Sequence, residues 1–276
     1  MGASSFPPFL AFLAASLGFY PAAASPQSAP MSPTAKWVVN YAESMCVLSR
    51  DYGSGENQIT LGFRPGPLSD YIRIAILFPD TSRIARGKAQ IRFDGGEAVP
   101  APFMSGPTKT EGAYILLVDT KRSELHGFEA AKTMSIAAGK FAFNLALPDL
   151  TKAMAALKEC EKDLLVSWGM DRELIAQLAT MPSIRNGIAS IFSTDDYPSA
   201  AVRESLQGTS GIRFWVSKDG KPSDCKIVET SGTKVLDQQS CGVVLRRGKF
   251  DPARTIKGDA IASPAFVRIR WELPGD

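Results

Sequence analysis

From Trp37 to Leu147 the chain advances in short β-prone runs, each soon broken by turn-forming residues, and this rhythm constrains the fold more than any other feature. Trp37-Val38-Val39, Cys46-Val47-Leu48, Ile59 to Phe63 and Tyr71 to Phe78 are rich in β-branched and aromatic side chains. Gly53-Ser54-Gly55 and Arg64-Pro65-Gly66-Pro67 punctuate them. Ala89 to Phe93 runs into the hairpin signal Asp94-Gly95-Gly96, and Tyr114 to Val118 and Phe141 to Leu147 continue the series. Strands at this spacing imply an antiparallel sandwich or a curled sheet. A closing helix is expected after Asp149, which can cap it, because Leu150, Met154, Leu157, Leu164 and Leu165 recur at roughly helical spacing.

A change of text follows. Asp171 to Ala179 reads as a short helix, and Met181 to Asp196 is irregular. Pro198 then opens a helix over Ser199 to Leu206, a favourable first-turn position for proline, and Gly208 and Gly211 end it. Ile212, Phe214 and Val216 alternate with Arg213, Trp215 and Ser217 as in a half-buried strand. Asp219-Gly220 signals a tight hairpin into Lys226-Ile227-Val228, and Ser231-Gly232 makes the next turn. A helix is expected from about Val235 to Arg247, stopped by Phe250-Asp251-Pro252-Ala253, before Val267, Ile269 and Trp271 alternate in a last strand. The expected class is α+β. Its plan is a leader over 1–24, a flexible lead over 25–36, a β-rich domain of unassigned role over 37–171, a linker over 172–195 and a second domain over 196–276.

Lys36 is the first charged side chain. Phe9 to Leu17 is apolar over the length of a signal-peptide core, and Ala22-Ala23-Ala24 suits a signal peptidase, although a basic leading segment is missing. Export to the periplasm with cleavage near Ala24 is the expectation. The alternative is an inner-membrane anchor facing the periplasm, which Pro7, Pro8 and Pro21 disfavour because a span needs about 20 apolar residues. An oxidising compartment gives the four cysteines a role, since an even count there usually means disulfides. Of the three pairings possible, pairing within halves joins Cys46 to Cys160 and Cys225 to Cys241; buried free thiols are the alternative. A net charge of +3, with no block of like charges, gives no footing for a nucleic-acid partner.

The order helix, strand, strand, helix, strand and its punctuation resemble the C-terminal domain of the TonB energy-transducer family. The residues that carry the resemblance are Tyr197-Pro198 with Ala201, Gly211, Asp219-Gly220, Ser231-Gly232, Leu236-Asp237, Phe250-Asp251-Pro252-Ala253, Gly258 and Trp271-Glu272-Leu273. Cysteines at positions 225 and 241 resemble a disulfide-containing variant of that family, with one on the second strand and one on the covering helix. The resemblance implies binding by strand addition: the last strand offers its edge to a peptide of a TonB-dependent outer-membrane transporter. The strand expected to bind is Ala265, Phe266, Val267, Arg268, Ile269, Arg270 and Trp271. Arg268 and Arg270 are expected to point away from the core, towards acidic groups of a partner or as protection of the edge. Such an edge also admits pairing with a second copy of the chain. A transducer of this kind uses an anchor helix and a long Pro-rich spacer, whereas residues 37–171 fill that interval here, so binding rather than force transmission is the expectation.

A search for catalytic residues is thin. The single histidine, His126, sits in Lys121-Arg122-Ser123-Glu124-Leu125-His126-Gly127 and reads as a surface side chain. Ser231-Gly232-Thr233-Lys234 matches S-x-x-K without its companion motifs. Neither a metal nor a cofactor is expected, and the protein is expected not to be an enzyme. The competing reading is an envelope hydrolase or ligand-binding protein whose site lies in Trp37 to Asp171, with the second domain as tether.

Overall fold

A computed structural model describes residues 29–67 and 69–273. The expected leader over 1–24 therefore lies outside the described residues. The β-prone runs form β1 (Val38–Tyr41), β2 (Cys46–Tyr52), β3 (Ile59–Pro65), β4 (Tyr71–Pro79) and β5 (Ala85–Phe93). They continue with β6 (Val99–Pro107), β7 (Ala113–Lys121), β8 (Thr133–Ala138) and β9 (Phe141–Ala146). All nine pair antiparallel in one sheet of order β1-β2-β3-β4-β7-β6-β5-β8-β9. Every second residue points inward, so Leu61, Phe63, Ile72, Ile74, Ile76, Leu116, Val118, Ile91, Ile136 and Leu145 are buried together.

The sheet is curled rather than split into a sandwich. Residues 29–34, expected as part of a flexible lead, strap its two ends together. Met31 donates to the Asn144 carbonyl at 2.8 Å and accepts from Ala146 at 2.9 Å, while Thr34 donates to Asp51 on β2 at 2.9 Å. The Tyr52 hydroxyl closes the same gap, donating to the Ala146 carbonyl at 2.8 Å.

Helix α1 (Leu150–Ser167) lies in the concave face and buries Leu150, Ala153, Met154, Leu157, Cys160, Leu164 and Leu165, a stripe at three- and four-residue steps. Each such leucine is worth about 1.5–3 kcal/mol by the apolar area it removes from water. Asp149 does precede the helix, but not as a side-chain cap: its φ is 61° and its carboxylate accepts no capping bond. Two further ties hold the helix. Glu161, 1% exposed, pairs with Arg122 at 2.5 Å just after β7, and Cys160 is bonded to Cys46 on β2 with Cα atoms 6.0 Å apart.

The expected linker over 172–195 is structured. Helix α2 (Arg172–Ala176) is capped by Asp171, whose carboxylate accepts from the Glu173 and Leu174 amides. Strands β10 (Leu178–Thr180) and β11 (Ser183–Ile184) follow. Then come α3 (Ser199–Arg203), β12 (Gly208–Val216), β13 (Pro222–Glu229) and α4 (Lys234–Arg247). The chain finishes with β14 (Phe250–Asp251), β15 (Ala253–Thr255), β16 (Ala260–Ile261) and β17 (Ser263–Trp271). β10 pairs with β15 and β11 with β14, so the segment before α3 is stitched to the segment after α4.

A second sheet has the order β13-β12-β17, and α4 covers one face over Ile212, Phe214, Val216, Leu236, Val243, Val244, Ile269 and Trp271. Gly208 and Gly211, expected to end the first helix of this region, lie inside β12 instead. They are needed for close approach: a Cβ on Gly208 would sit 2.2 Å from the Ser231 carbonyl oxygen, and one on Gly211 would sit 2.8 Å from the Glu229 Cβ. No helix among the described residues is long and apolar enough to cross a membrane.

Candidate partner-binding strand

β17 pairs along its whole length with β12, from Gly208 opposite Trp271 to Val216 opposite Ser263, and with no other strand among the described residues. Its other side is a sheet edge. Ala265, Val267, Ile269 and Trp271 face the helix-covered core. The Trp271 indole donates to Ser240 at 2.9 Å and meets Tyr197 edge-on at 5.4 Å, so the two ends of the motif series touch. Phe250 packs on Phe214 with ring centroids 5.0 Å apart, and Pro252 separates the short strands β14 and β15.

The other motif residues fix turns. Gly220 has φ +79° and closes the hairpin by donating to Ser217 at 2.9 Å; its carbonyl accepts from Phe250 at 3.0 Å, which leaves no room for a side chain. Ser231-Gly232 leads into α4, where Asp237 accepts from the Ser210 hydroxyl at 2.8 Å, the Thr230 hydroxyl at 2.7 Å and the Ser231 amide at 2.8 Å. Burial works to raise the pKa of this carboxyl, but the three donors outweigh it and hold the group below the ordinary aspartate value. Cys225 on β13 is bonded to Cys241 on α4, with Cα atoms 5.7 Å apart.

The even-numbered face of β17 looks to solvent only towards its end, at Arg270. Phe266 stacks on Trp168, at the end of α1, with centroids 6.1 Å apart. Arg268 reaches across Gly211, which offers no side chain, and grips Glu229 on β13 with two nitrogens; Ser44 donates to the same carboxylate at 2.5 Å. Arg268, expected to point away from the core towards a partner's acidic groups or as protection of the edge, is paired instead with an acidic side chain of its own chain. Arg270 is half-exposed and pairs with Glu272 at 2.8 Å.

Between the edge of β17 and the outer face of the curled sheet lies a cleft of about 480 Å³. Five consecutive residues of the strand, Pro264 to Arg268, line it. One wall carries Arg64, Tyr71, Arg73 and Asp119; the other carries Met181, Pro182 and Ile184. Arg73 binds Asp119 through two nitrogens at 2.5 and 2.7 Å, and the Tyr71 hydroxyl donates to the same carboxylate at 2.7 Å. Burial pushes the Tyr71 phenol up to about 12, so it stays neutral at physiological pH. Arg64, read from the sequence as a turn residue, lies instead within β3, and neither it nor Tyr71, Arg73 and Asp119 belongs to the motif series. Their one trace is polarity at outward positions of strands whose alternate positions are apolar.

His126 lies elsewhere, exposed, on an open depression that Glu97 and Glu124 also line. Among the described residues it makes no hydrogen bond to either carboxylate, and Glu124 is held by the Thr120 hydroxyl at 3.1 Å. No group of three or more metal-ligating side chains comes together among the described residues.

Residues 194–273 match the family model described as the Gram-negative bacterial TonB protein C-terminal. Comparison with curated proteins and with solved structures returns no match.

Proposed function

We propose, from the premise that residues 194–273 are a TonB C-terminal domain, that this protein serves TonB-type transport in the cell envelope by capturing an extended peptide along β17. The captured segment belongs to an outer-membrane transporter, and the protein acts by binding, without a chemical step. Export to the periplasm behind a cleaved leader belongs to the same reading, and two disulfides suit that compartment.

The observation that carries the proposal is the position of β17 at the rim of its sheet, with a cleft beside five of its residues. Main-chain donors and acceptors on such a rim can add a strand, and alternate side chains of the guest then meet opposite walls. The test is hydrogen exchange on the exported protein with synthetic peptides from the periplasm-facing amino-terminal segments of outer-membrane transporters. Slowed exchange within 263–271 is the expected result. Protection confined to other strands, or none with any peptide, overturns it.

A further inference from the structure

The curled sheet, to which no role attaches so far, forms half of the cleft beside β17, and its charges there do not cancel. Arg73 is matched by Asp119, and Arg268 is matched by Glu229. Arg64, on the outward side of β3 and half-buried, forms no ion pair among the described residues; Tyr71 is its polar neighbour, and the Glu229 carboxylate, already gripped by Arg268, acts on it only through space. Burial and the neighbouring Arg73 guanidinium push its pKa down, while Tyr71 and the Glu229 carboxylate work the other way; with three guanidinium groups (Arg64, Arg73, Arg268) facing two carboxylates (Asp119, Glu229), the cluster is left one positive charge in excess.

A guest lying along Pro264 to Arg268 would pass between this guanidinium and the apolar side chains of Met181 and Ile184. In an extended chain, side chains alternate between the two walls. One wall therefore suits apolar residues and the other offers an arginine fork, whose planar donors fit a carboxylate better than any other side chain. We infer that the cleft selects an extended peptide bearing an aspartate or glutamate beside apolar residues, and that Arg64 of the curled sheet is the residue that reads the acid. This rests on strand addition at β17 and extends it: the first sheet becomes the specificity wall of the peptide site, and the last strand supplies the backbone.

The test uses a randomised nonapeptide library displayed on phage and selected on the full exported protein, on Arg64→Gln and on Arg64→Lys. Enriched peptides are then resynthesised with their acidic residue replaced by its amide. Wild type is expected to enrich Asp or Glu at one position and to bind the acidic form about tenfold tighter than the amide form, a preference worth about 1.4 kcal/mol. Arg64→Gln should lose that preference while keeping the apolar part of the motif, and Arg64→Lys should keep the charge preference in weaker form. Equal acid enrichment on wild type and Arg64→Gln overturns the role of Arg64. If the selected peptides slow exchange at 264–268 but show no acid preference, the Arg64 inference falls and strand addition stands. If no peptide slows exchange there, both fall.

Discussion

Asp237 is 8% exposed, yet its carboxylate accepts from two hydroxyls and an amide, so one side chain joins α4 to the central strand β12 and to the turn after β13. Hydrogen bonds to a charged acceptor are worth about 1.5–3 kcal/mol each, net of water. Asp237→Ala should therefore lower stability by about 2–3 kcal/mol after the vacated donors find water, read from urea unfolding at neutral pH. The pH dependence follows from the sign of the shift. A carboxyl whose folded pKa lies below its unfolded value stabilises the fold above the unfolded pKa, near 3.8, and that contribution is lost as the pH falls through the folded pKa. The wild type should thus lose stability on acidification below about 4 more steeply than Asp237→Asn, which has no carboxyl to protonate. Parallel curves for the two proteins would remove Asp237 from the account. The pair Leu236-Asp237 was legible in the sequence as part of a motif, but its three donors lie at positions 210, 230 and 231, and only folding brings them to one point.

At the scale of elements, α1 shows what periodicity can and cannot reveal. Its stripe from Leu150 to Leu165 gave away the helix and its buried face, because the three- and four-residue steps survive in any context. The cap at Asp149 was not legible, since a left-handed aspartate and a capping aspartate are the same letter. Gly208 and Gly211 failed in the same way. A glycine that ends a helix and a glycine that lets two backbones touch differ only in what lies opposite, and that is fixed by pairing with β13 and β17. The two disulfides staple helices to strands across very different lengths of chain, 114 residues for Cys46–Cys160 and 16 for Cys225–Cys241. Loop-closure entropy gives about 4–5 kcal/mol for the longer loop and about 3 kcal/mol for the shorter. Cys160→Ser should therefore lower the urea midpoint more than Cys241→Ser. The opposite order would mean that the unfolded curled sheet is already compact without its bond.

At the scale of the whole molecule, the two sheets meet through a small set of unlike contacts. Trp168 stacks on Phe266, its indole donates to the Glu43 carbonyl at 3.1 Å, and its own carbonyl accepts from Arg213 at 3.2 Å. Arg270 approaches Met104, and Arg86 lies 3.6 Å from Glu272. Trp168→Ala removes an aromatic side chain that touches both halves, at a cost of about 3–5 kcal/mol. Calorimetry should show the thermal transition broadening or dividing in two, with amide exchange at 264–268 accelerated. A sharp single transition at the wild-type temperature would show that the polar contacts alone hold the halves in place. None of this joint was legible in the sequence, because residues 64, 73 and 119 become neighbours of 264–268 only after two separately patterned sheets have docked. The cleft between the sheets has a consequence of its own. A guest seated there would touch both halves at once, so its grip and their attachment become one equilibrium. Occupancy would weld the two halves together, and any strain that pried them apart would open the jaw and let the cargo go.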